Sequence, residues 1–296
     1  MSLHTRRDFL KATSSAVLTA AASQSTFLHA NPLSLPIGIQ LYSVREDLAK
    51  DFEGTLRRLA SFGYQEVEAA GFYNHTPAQV KAALKSAGLT CPSAHYGFQL
   101  VSAQLDQTIA FAHDIGLQYI VCPSPGRTPA NAGAKGHLTL DDWKFSADTF
   151  NHTAEKVKAA GMTFAYHNHY EEFHRLPSGE LPMDVLLQNT DPTKVHFEMD
   201  CGWVMVGGSS PADYLKRHPT RFCMLHVKDF VSTQSSADGK PPAATELGRG
   251  VMDYRPIFQA ASKPNIKHIF VEQEGFDIPE DESLKVDADY MKKLTA

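Results

Sequence analysis

LASFGYQEVEA, residues 59–69, joins the end of an amphipathic helical stretch to a short run of β-forming residues through a single glycine. A glycine directly after the last helical turn is the residue type that most often ends a helix in the left-handed conformation. The same junction recurs at LKSAGLTCPSAH (84–95), AHDIGLQYIVC (112–122) and VKAAGMTFAYH (157–167). This repetition of helix, glycine and strand predicts consecutive βα units.

The chain after residue 36 can be divided in this way throughout. Eight β-type runs alternate with helical stretches such as 51–61, 77–86 and 140–160. The runs are 37–42, 66–69, 90–95, 119–122, 163–168, 195–200, 224–228 and 268–272. Eight βα units in roughly 250 residues predict an α/β fold, a single (β/α)8 TIM barrel over residues 31–296. The competing doubly wound sheet would need a glycine-rich phosphate turn, and neither G-x-G-x-x-G nor G-x-x-x-x-G-K-[ST] occurs.

The composition excludes several classes of protein. Of the 296 residues, 43% are hydrophobic and 21% are charged, which suits a large core and not a disordered chain. A net charge of -5 offers no basic surface, so we expect no nucleic-acid partner. After the first thirty residues no apolar run reaches the roughly 18 residues of a membrane span, so we expect no membrane contact of the mature protein. The composition leaves the oligomeric state open.

Residues 1–30 have the pattern of an export signal. Arg6 and Arg7 are followed by FLK, then by a stretch rich in Ala, Ser and Thr, and the segment ends in LHA at 28–30. This pattern resembles a twin-arginine signal peptide, which predicts a periplasmic or secreted protein exported after folding. The alternative is an amphipathic first helix with a chance arginine pair.

The four cysteines are Cys91, Cys122, Cys201 and Cys223. In an oxidising compartment they could form two disulfides. Each lies in or beside a β-type run, and no CxxC pair is present, so we expect buried free thiols.

Polar residues stand at four predicted strand ends, in YHNH (166–169), FEMD (197–200), LHVKD (225–229) and VEQE (271–274). Strand alternation places His167 with His169, and Glu198 with Asp200, on one face each. Because the carboxyl ends of barrel strands meet at one face, imidazole and carboxylate groups from four strands predict a divalent metal site. Taken singly, each would be a hydrogen-bonded surface residue. The Ser-, Gly- and Pro-rich segment 231–249 is predicted as a loop at the same face.

Five runs along the chain together resemble one known group of proteins. They are FAYHNHYEEF (164–173), VHFEMDCGWV (195–204), MLHVKDF (224–230), ELGRGVMDY (246–254) and IFVEQEGF (269–276). In order and spacing they resemble the xylose-isomerase-like TIM barrel superfamily of sugar isomerases and epimerases, with inosose dehydratase relatives. The resemblance implies that Asp200, His226 and Glu272 hold one divalent ion, with His167 where relatives have a glutamate. Mixed imidazole and carboxylate ligands favour Mn, Co, Fe or Zn over Mg or Ca.

The resemblance also implies abstraction of a proton next to the carbonyl of a small sugar or glycoside. In relatives two glutamate ligands can exchange protons on opposite faces of the sugar, whereas an imidazole committed to a metal is no base. Glu272 remains the candidate base. His95, Glu198, Lys228 and His169 are the candidates for the acid.

Three residues are candidates for substrate binding, namely His95, Trp203 and Glu68. Structural alternatives are a salt bridge from Lys228 to Asp229 or Glu198, an ion pair of Glu68, and packing of an aromatic residue under a loop. We therefore expect a metal-dependent sugar isomerase or epimerase. The alternative is an exported lyase or dehydratase acting on keto-sugars or 3-keto-glycosides, followed by a sugar-binding protein without catalysis.

Overall fold

The computed structural model describes residues 31–236, 239–261 and 264–294. Eight strands form a closed barrel: β1 (Ile37–Gln40), β2 (Glu66–Ala69), β3 (Thr90–His95), β4 (Tyr119–Cys122), β5 (Thr163–His167), β6 (Val195–Asp200), β7 (Phe222–Val227) and β10 (His268–Val271). They are parallel and follow one another around the barrel in the order β1-β10-β7-β6-β5-β4-β3-β2. The predicted TIM barrel is confirmed.

Eleven described α-helices accompany the strands. They are α1 (Arg45–Lys50), α2 (Phe52–Phe62), α3 (Pro77–Ala87), α4 (Phe98–Ser102), α5 (Leu105–Ile115), α6 (Leu140–Ala159), α7 (Pro182–Asn189), α8 (Cys201–Val206), α9 (Pro211–Arg217), α10 (Arg255–Ala260) and α11 (Glu280–Lys293). The glycine junctions act as predicted, since Gly63 and Gly88 end α2 and α3 with φ of 102° and 71°. Among the described residues, no helix is both long enough and apolar enough to cross a membrane.

Five strand boundaries differ from the prediction. The ends of β5, β7 and β10 each lie one residue earlier than predicted, and the two larger differences, at β1 and at the start of β7, have identifiable reasons. β1 stops at Gln40 because the Gln40 side chain accepts a hydrogen bond from the Tyr42 backbone N–H and starts a 3-10 turn, Leu41–Val44. β7 begins two residues earlier than predicted, at Phe222, because Phe222 pairs with Phe197 of β6. Both changes leave the carboxyl ends of the strands at the same face of the barrel.

An apolar layer fills the middle of the barrel. It consists of Tyr119, Val121, Ala165, Cys223, Met224 and Phe270. The Phe270 ring crosses towards β1, where a side chain on Gly38 would lie 2.4 Å from it, so a residue without Cβ is needed there. Below this layer, at the amino-terminal end, His268 Nδ1 lies 2.8 Å from Glu66 Oε2. Above it lies a second, larger group of polar side chains.

The remaining predictions about the chain have separate outcomes. All four cysteines are buried and free, as expected. The loop after β7 contains a two-stranded antiparallel sheet of β8 (Asp229–Phe230) and β9 (Ala244–Thr245). The predicted export signal, residues 1–30, lies outside the described residues.

Candidate metal centre

The four predicted metal ligands lie together at the carboxyl ends of the strands. His167 is the last residue of β5, Asp200 is the last of β6, His226 lies in β7, and Glu272 follows β10. Each offers one ligand atom, and these four atoms all lie within 4.8 Å of one another. All four residues are buried. The strand register explains the convergence, because Asp200 is paired directly with His226.

A second set of donors lies immediately beside the first. It consists of His95, His167, Glu198 and His226, and its ligand atoms are also within 4.8 Å of one another. Three imidazole nitrogens meet one oxygen, Glu198 Oε2, with His95 Nε2 at 2.8 Å, His167 Nδ1 at 2.9 Å and His226 Nε2 at 3.2 Å. His95 and Glu198 are thus placed in the same cluster as the predicted ligands.

Two imidazoles are shared by the two sets. His167 turns Nδ1 to Glu198, and its Nε2 lies 3.9 Å from Asp200 Oδ2. His226 turns Nε2 to Glu68 Oε2 at 2.6 Å and Nδ1 to Glu272 Oε2 at 3.0 Å. A metal-bound histidine commonly donates its other ring N–H to a carboxylate. If an ion is held with Asp200 and Glu272, the carboxylates of Glu198 and Glu68 are placed to accept those protons.

The residues present fit a divalent ion. Two buried carboxylate oxygens, Asp200 Oδ2 and Glu198 Oε1, have no hydrogen-bond partner. The Lys228 ammonium is 2.9 Å from Asp200 Oδ2, close enough for an ion pair but without hydrogen-bond geometry. Four buried carboxylates, those of Glu68, Glu198, Asp200 and Glu272, outnumber Lys228 and the two imidazoles whose pKa is raised, His95 and His226. The excess buried negative charge is costly unless a further cation joins it. The mixture of imidazole and carboxylate also suits a transition metal.

Lys228 does not form the salt bridge to Asp229 or Glu198 that was considered from the sequence. Its Nζ lies 2.9 Å from Asp200, 2.8 Å from Glu272 Oε2 and 2.5 Å from Glu274 Oε1. Strand alternation explains this, because Asp229 follows Lys228 and turns to the opposite side.

Asp229 instead organises the loop that follows β8. Its carboxylate accepts four backbone hydrogen bonds, from Phe230, Gly248, Gly250 and Met252. Nearby, the Leu247 N–H donates to Asp287 Oδ1 at 2.7 Å. Burial, with the charges of Glu246 and Asp229, raises the pKa of Asp287 to about 7.

The charges of the centre shift its pKa values strongly. Burial opposes protonation of His95, but Glu68 and Glu198 outweigh it and raise the pKa of His95 to about 9. Burial and the neighbouring His226 hold the pKa of His167 well below its usual range. Burial and Lys228 lower the pKa of His169. The described site therefore combines a cationic His95 with neutral His167 and His169 near pH 7.

The predicted substrate-binding residues are placed unequally. Glu68 is fully buried under the centre, where Gln40 Nε2 and the Ser93 hydroxyl donate to it. Trp203 is 5% exposed and packs against Phe230, with Nε1 donating to Glu274. Neither side chain presents an open face to the mouth.

Two other predicted residues lie nearer the mouth. His95 has an 11% exposed side chain, and His169 lies 5.0 Å from the His167 ring, centroid to centroid. Glu198, predicted as a candidate acid, is fully buried below them.

Two residues that hold this site in place were not predicted. The Asn168 side chain accepts from the Asp200 N–H at 3.1 Å and donates to the Asp200 carbonyl at 3.3 Å. The Tyr254 hydroxyl does the same for Lys228, accepting from its N–H at 2.8 Å and donating to its carbonyl at 2.6 Å. Both residues complete the hydrogen bonding of a backbone at a strand end. The position of Asn168 between two histidines was the available signal for the first.

Known proteins are similar to this chain over most of its length. An inosose dehydratase from Lacticaseibacillus casei is 25% identical over 232 residues, which cover 71% of this chain and 77% of that protein. A crystal structure of a sugar phosphate isomerase/epimerase from Parabacteroides distasonis ATCC 8503 is 28% identical, with a TM-score of 0.71, covering 86% of this chain and 96% of the other. A second from the same organism is 26% identical, with a TM-score of 0.71, covering 95% and 97%.

A sequence profile of the family described as "Xylose isomerase-like TIM barrel" matches residues 56–294, most of the chain. The relatives found thus include inosose dehydratases and sugar phosphate isomerase/epimerases. The chain belongs to the xylose isomerase-like TIM barrel family.

Proposed function

We propose that this protein is a divalent-metal-dependent enzyme that removes a carbon-bound proton next to the carbonyl of a keto-sugar or keto-glycoside and then expels a β-substituent, as a dehydratase or lyase does. The observation that carries the proposal is the arrangement of carboxylates at the mouth. Within the candidate ligand set, Asp200 is fully buried and Glu272 is 8% exposed. Glu274, 32% exposed, follows the same strand two residues later.

This arrangement disfavours proton exchange on two opposite faces of a sugar. Glu272 and Glu274 come from one strand end and approach a substrate from one side. His167 stands where a second carboxylate would be needed, and both of its ring nitrogens face acidic partners. One-sided proton abstraction followed by elimination needs no second carboxylate base.

The roles of the residues follow from their positions. His167, Asp200, His226 and Glu272 would hold the ion, with Mn, Co, Fe or Zn favoured by the donor types. When bound, a divalent ion supplies a Lewis acid for the charge that develops on a carbonyl oxygen. A Glu272 oxygen accepts the proton from the carbon next to the carbonyl.

Elimination follows the abstraction of the proton. The electron pair of the broken C–H bond forms the carbon–carbon double bond, and the bond from the β-carbon to its oxygen substituent breaks. The leaving oxygen takes up one proton from His95, which is cationic near pH 7, and departs as water or an alcohol. Glu272 then releases its proton to solvent, and His95 takes one up from solvent. His169, near the mouth, and Lys228 provide hydrogen bonds there.

A sugar isomerase or epimerase is the second candidate. It is favoured by the likeness to the two Parabacteroides distasonis structures, of which this chain covers 96% and 97%. In that case the proton returns to carbon after enolisation and no substituent is lost.

Incubation with keto-sugars in deuterated water tests the proposal. We expect the metal-loaded protein to give a product lighter by one water or alcohol, detected by mass spectrometry, with loss of the carbon-bound proton by NMR. A product of unchanged mass carrying deuterium would favour the isomerase or epimerase. Binding of a sugar without turnover would support the non-catalytic alternative.

We also propose that the chain is exported through residues 1–30 by the twin-arginine route, on the basis of the sequence pattern alone. The double substitution Arg6→Lys and Arg7→Lys should retain the protein inside the cell. It should not change the activity of the purified enzyme. Normal export of the double variant would contradict this assignment.

A further inference from the structure

The ammonium of Lys228 lies among the same carboxylate oxygens that the metal would use. Its Nζ is 2.9 Å from Asp200 Oδ2 and 2.8 Å from Glu272 Oε2. Lys228 is 1% exposed, so these charges interact away from water. A third carboxylate, Glu274, holds the ammonium from the side of the mouth at 2.5 Å.

The lysine is held in this place along its whole length. The Tyr254 hydroxyl binds both its backbone N–H and its carbonyl. Its aliphatic stem runs over Gly202, where an added Cβ would be 2.5 Å from Lys228 Cγ. The ammonium lies 4.9 Å from the centroid of the Trp203 ring. Because its backbone, its aliphatic chain and its ammonium group are all held by neighbours, Lys228 has a fixed position in the centre.

The negative charges of Asp200 and Glu272 explain why the metal-free protein needs a cation at this position. Asp200 and Glu272 are both buried. Without the lysine, Glu272 Oε2 would keep His226 Nδ1 at 3.0 Å and Asp200 Oδ2 would keep only His167 Nε2 at 3.9 Å, so both carboxylates would lose their closest positive charge. A divalent ion at the same oxygens would be repelled by the ammonium and would make it superfluous. Lysine and metal therefore compensate the same two negative charges.

We propose that Lys228 is a built-in counter-ion that stabilises the metal-free protein and competes with the divalent ion for Asp200 and Glu272. This inference rests on the proposed function, because it assumes that these two carboxylates are ligands. On metal binding the ammonium gives up Asp200 and Glu272 and keeps Glu274. The lysine thereby lowers the affinity for the metal. It also balances the charge of the apoprotein and stabilises its fold.

Metal titration of four variants tests this. Lys228→Gln and Lys228→Met remove the positive charge, and Lys228→Arg keeps it. Lys50→Gln is the control, because it removes the charge of a lysine whose side chain is 71% exposed. Each protein is stripped with chelator and titrated with Mn²⁺ against a competing indicator. Thermal unfolding of the stripped and loaded forms is recorded in parallel.

We expect the two neutral variants to bind Mn²⁺ about ten- to a hundredfold more tightly than wild type, the range over which groups around a ligand set alter metal affinity. Their stripped forms should melt at lower temperature, and Mn²⁺ should raise their midpoints more than it raises that of wild type. Lys228→Arg and Lys50→Gln should bind Mn²⁺ no more tightly than wild type.

Equal or weaker Mn²⁺ binding by Lys228→Gln, with wild type binding normally, would overturn the inference and leave the proposed function standing. Wild type that takes up no Mn²⁺, Co²⁺, Fe²⁺ or Zn²⁺ would overturn the proposed function itself. Lys228→Gln retains a hydrogen-bond donor for the carboxylates, so it provides the comparison if Lys228→Met does not fold.

Discussion

Glu198→Gln separates the two donor sets that share His167 and His226. If the ion is held with Asp200 and Glu272, the Glu198 carboxylate only accepts N–H groups from the ligand histidines, and its loss weakens metal binding without abolishing it. If the ion is held with His95 and Glu198, the same change removes a charged ligand. The substitution keeps the size of the side chain and removes one negative charge.

The size of the effect follows from the three contacts of Glu198 Oε2, at 2.8, 2.9 and 3.2 Å from imidazole nitrogens. Hydrogen bonds to charged groups contribute about 1.5–3 kcal/mol, against about 0.5–1.5 kcal/mol for neutral pairs. The amide oxygen of the Glu198→Gln side chain can take the place of Oε2 but is neutral, so the contacts to the imidazoles lose part of this difference. We expect metal binding to weaken by about 1.4–2.8 kcal/mol, which is about ten- to a hundredfold.

The assay is Mn²⁺ titration of stripped protein against a competing indicator, with Asp200→Asn measured beside it. Glu66→Gln is the matched control, because Glu66 also contacts a histidine, His268, at 2.8 Å but lies at the opposite end of the barrel. We expect Asp200→Asn to lose far more affinity than Glu198→Gln, and Glu66→Gln to lose none. Abolished binding in Glu198→Gln, with nearly normal binding in Asp200→Asn, would refute this reasoning.

Three further predictions concern single residues. Because the folded-state pKa of Asp287, about 7, lies above the ordinary value of 3.8, the folded protein holds this proton to higher pH, and ionisation costs stability as pH rises from 3.8 to 7. Asp287→Asn should therefore stabilise the protein in urea unfolding at pH 8 and change little at pH 4; equal effects at both would contradict the assignment. Tyr254→Phe leaves the N–H and carbonyl of Lys228 without their partner and should lower the free energy of unfolding by about 1–3 kcal/mol, whereas no change in the urea midpoint would show that water replaces the hydroxyl. Glu272→Gln should reduce turnover by about 10²–10⁴-fold even with metal content matched to wild type, and a normal rate would exclude it as the base.

The strands were predictable because their starts and ends carry local signals. Glu66–Ala69 was predicted to the residue because Gly63 marks the end of the preceding helix. The start of β7 was missed because Phe222 and Cys223 follow a charged turn, and only their pairing with β6 makes them strand.

The convergence of polar strand ends was also predictable, whereas their depth was not. Alternation places Glu198 and Asp200 on one face, but it does not say that Glu198 lies lower, against three imidazoles. The partners of Lys228 come from β6 and from the end of β10, which pairs with β7. Contacts of this kind depend on which strands become neighbours when the barrel closes.

The apolar layer around Phe270 closes the interior of the barrel, so no channel runs from one end to the other through the described residues. Val121, Ala165 and Phe270 are fully buried across its middle, so the polar group at Glu66 and the metal centre are insulated from each other. On the proposed function, the ion, the substrate and the product would all use the opening that the described residues form at the carboxyl ends of the strands. A sugar bound in that opening should slow the loss of the ion to a chelator. The rate at which the ion exchanges should therefore depend on whether the sugar is bound.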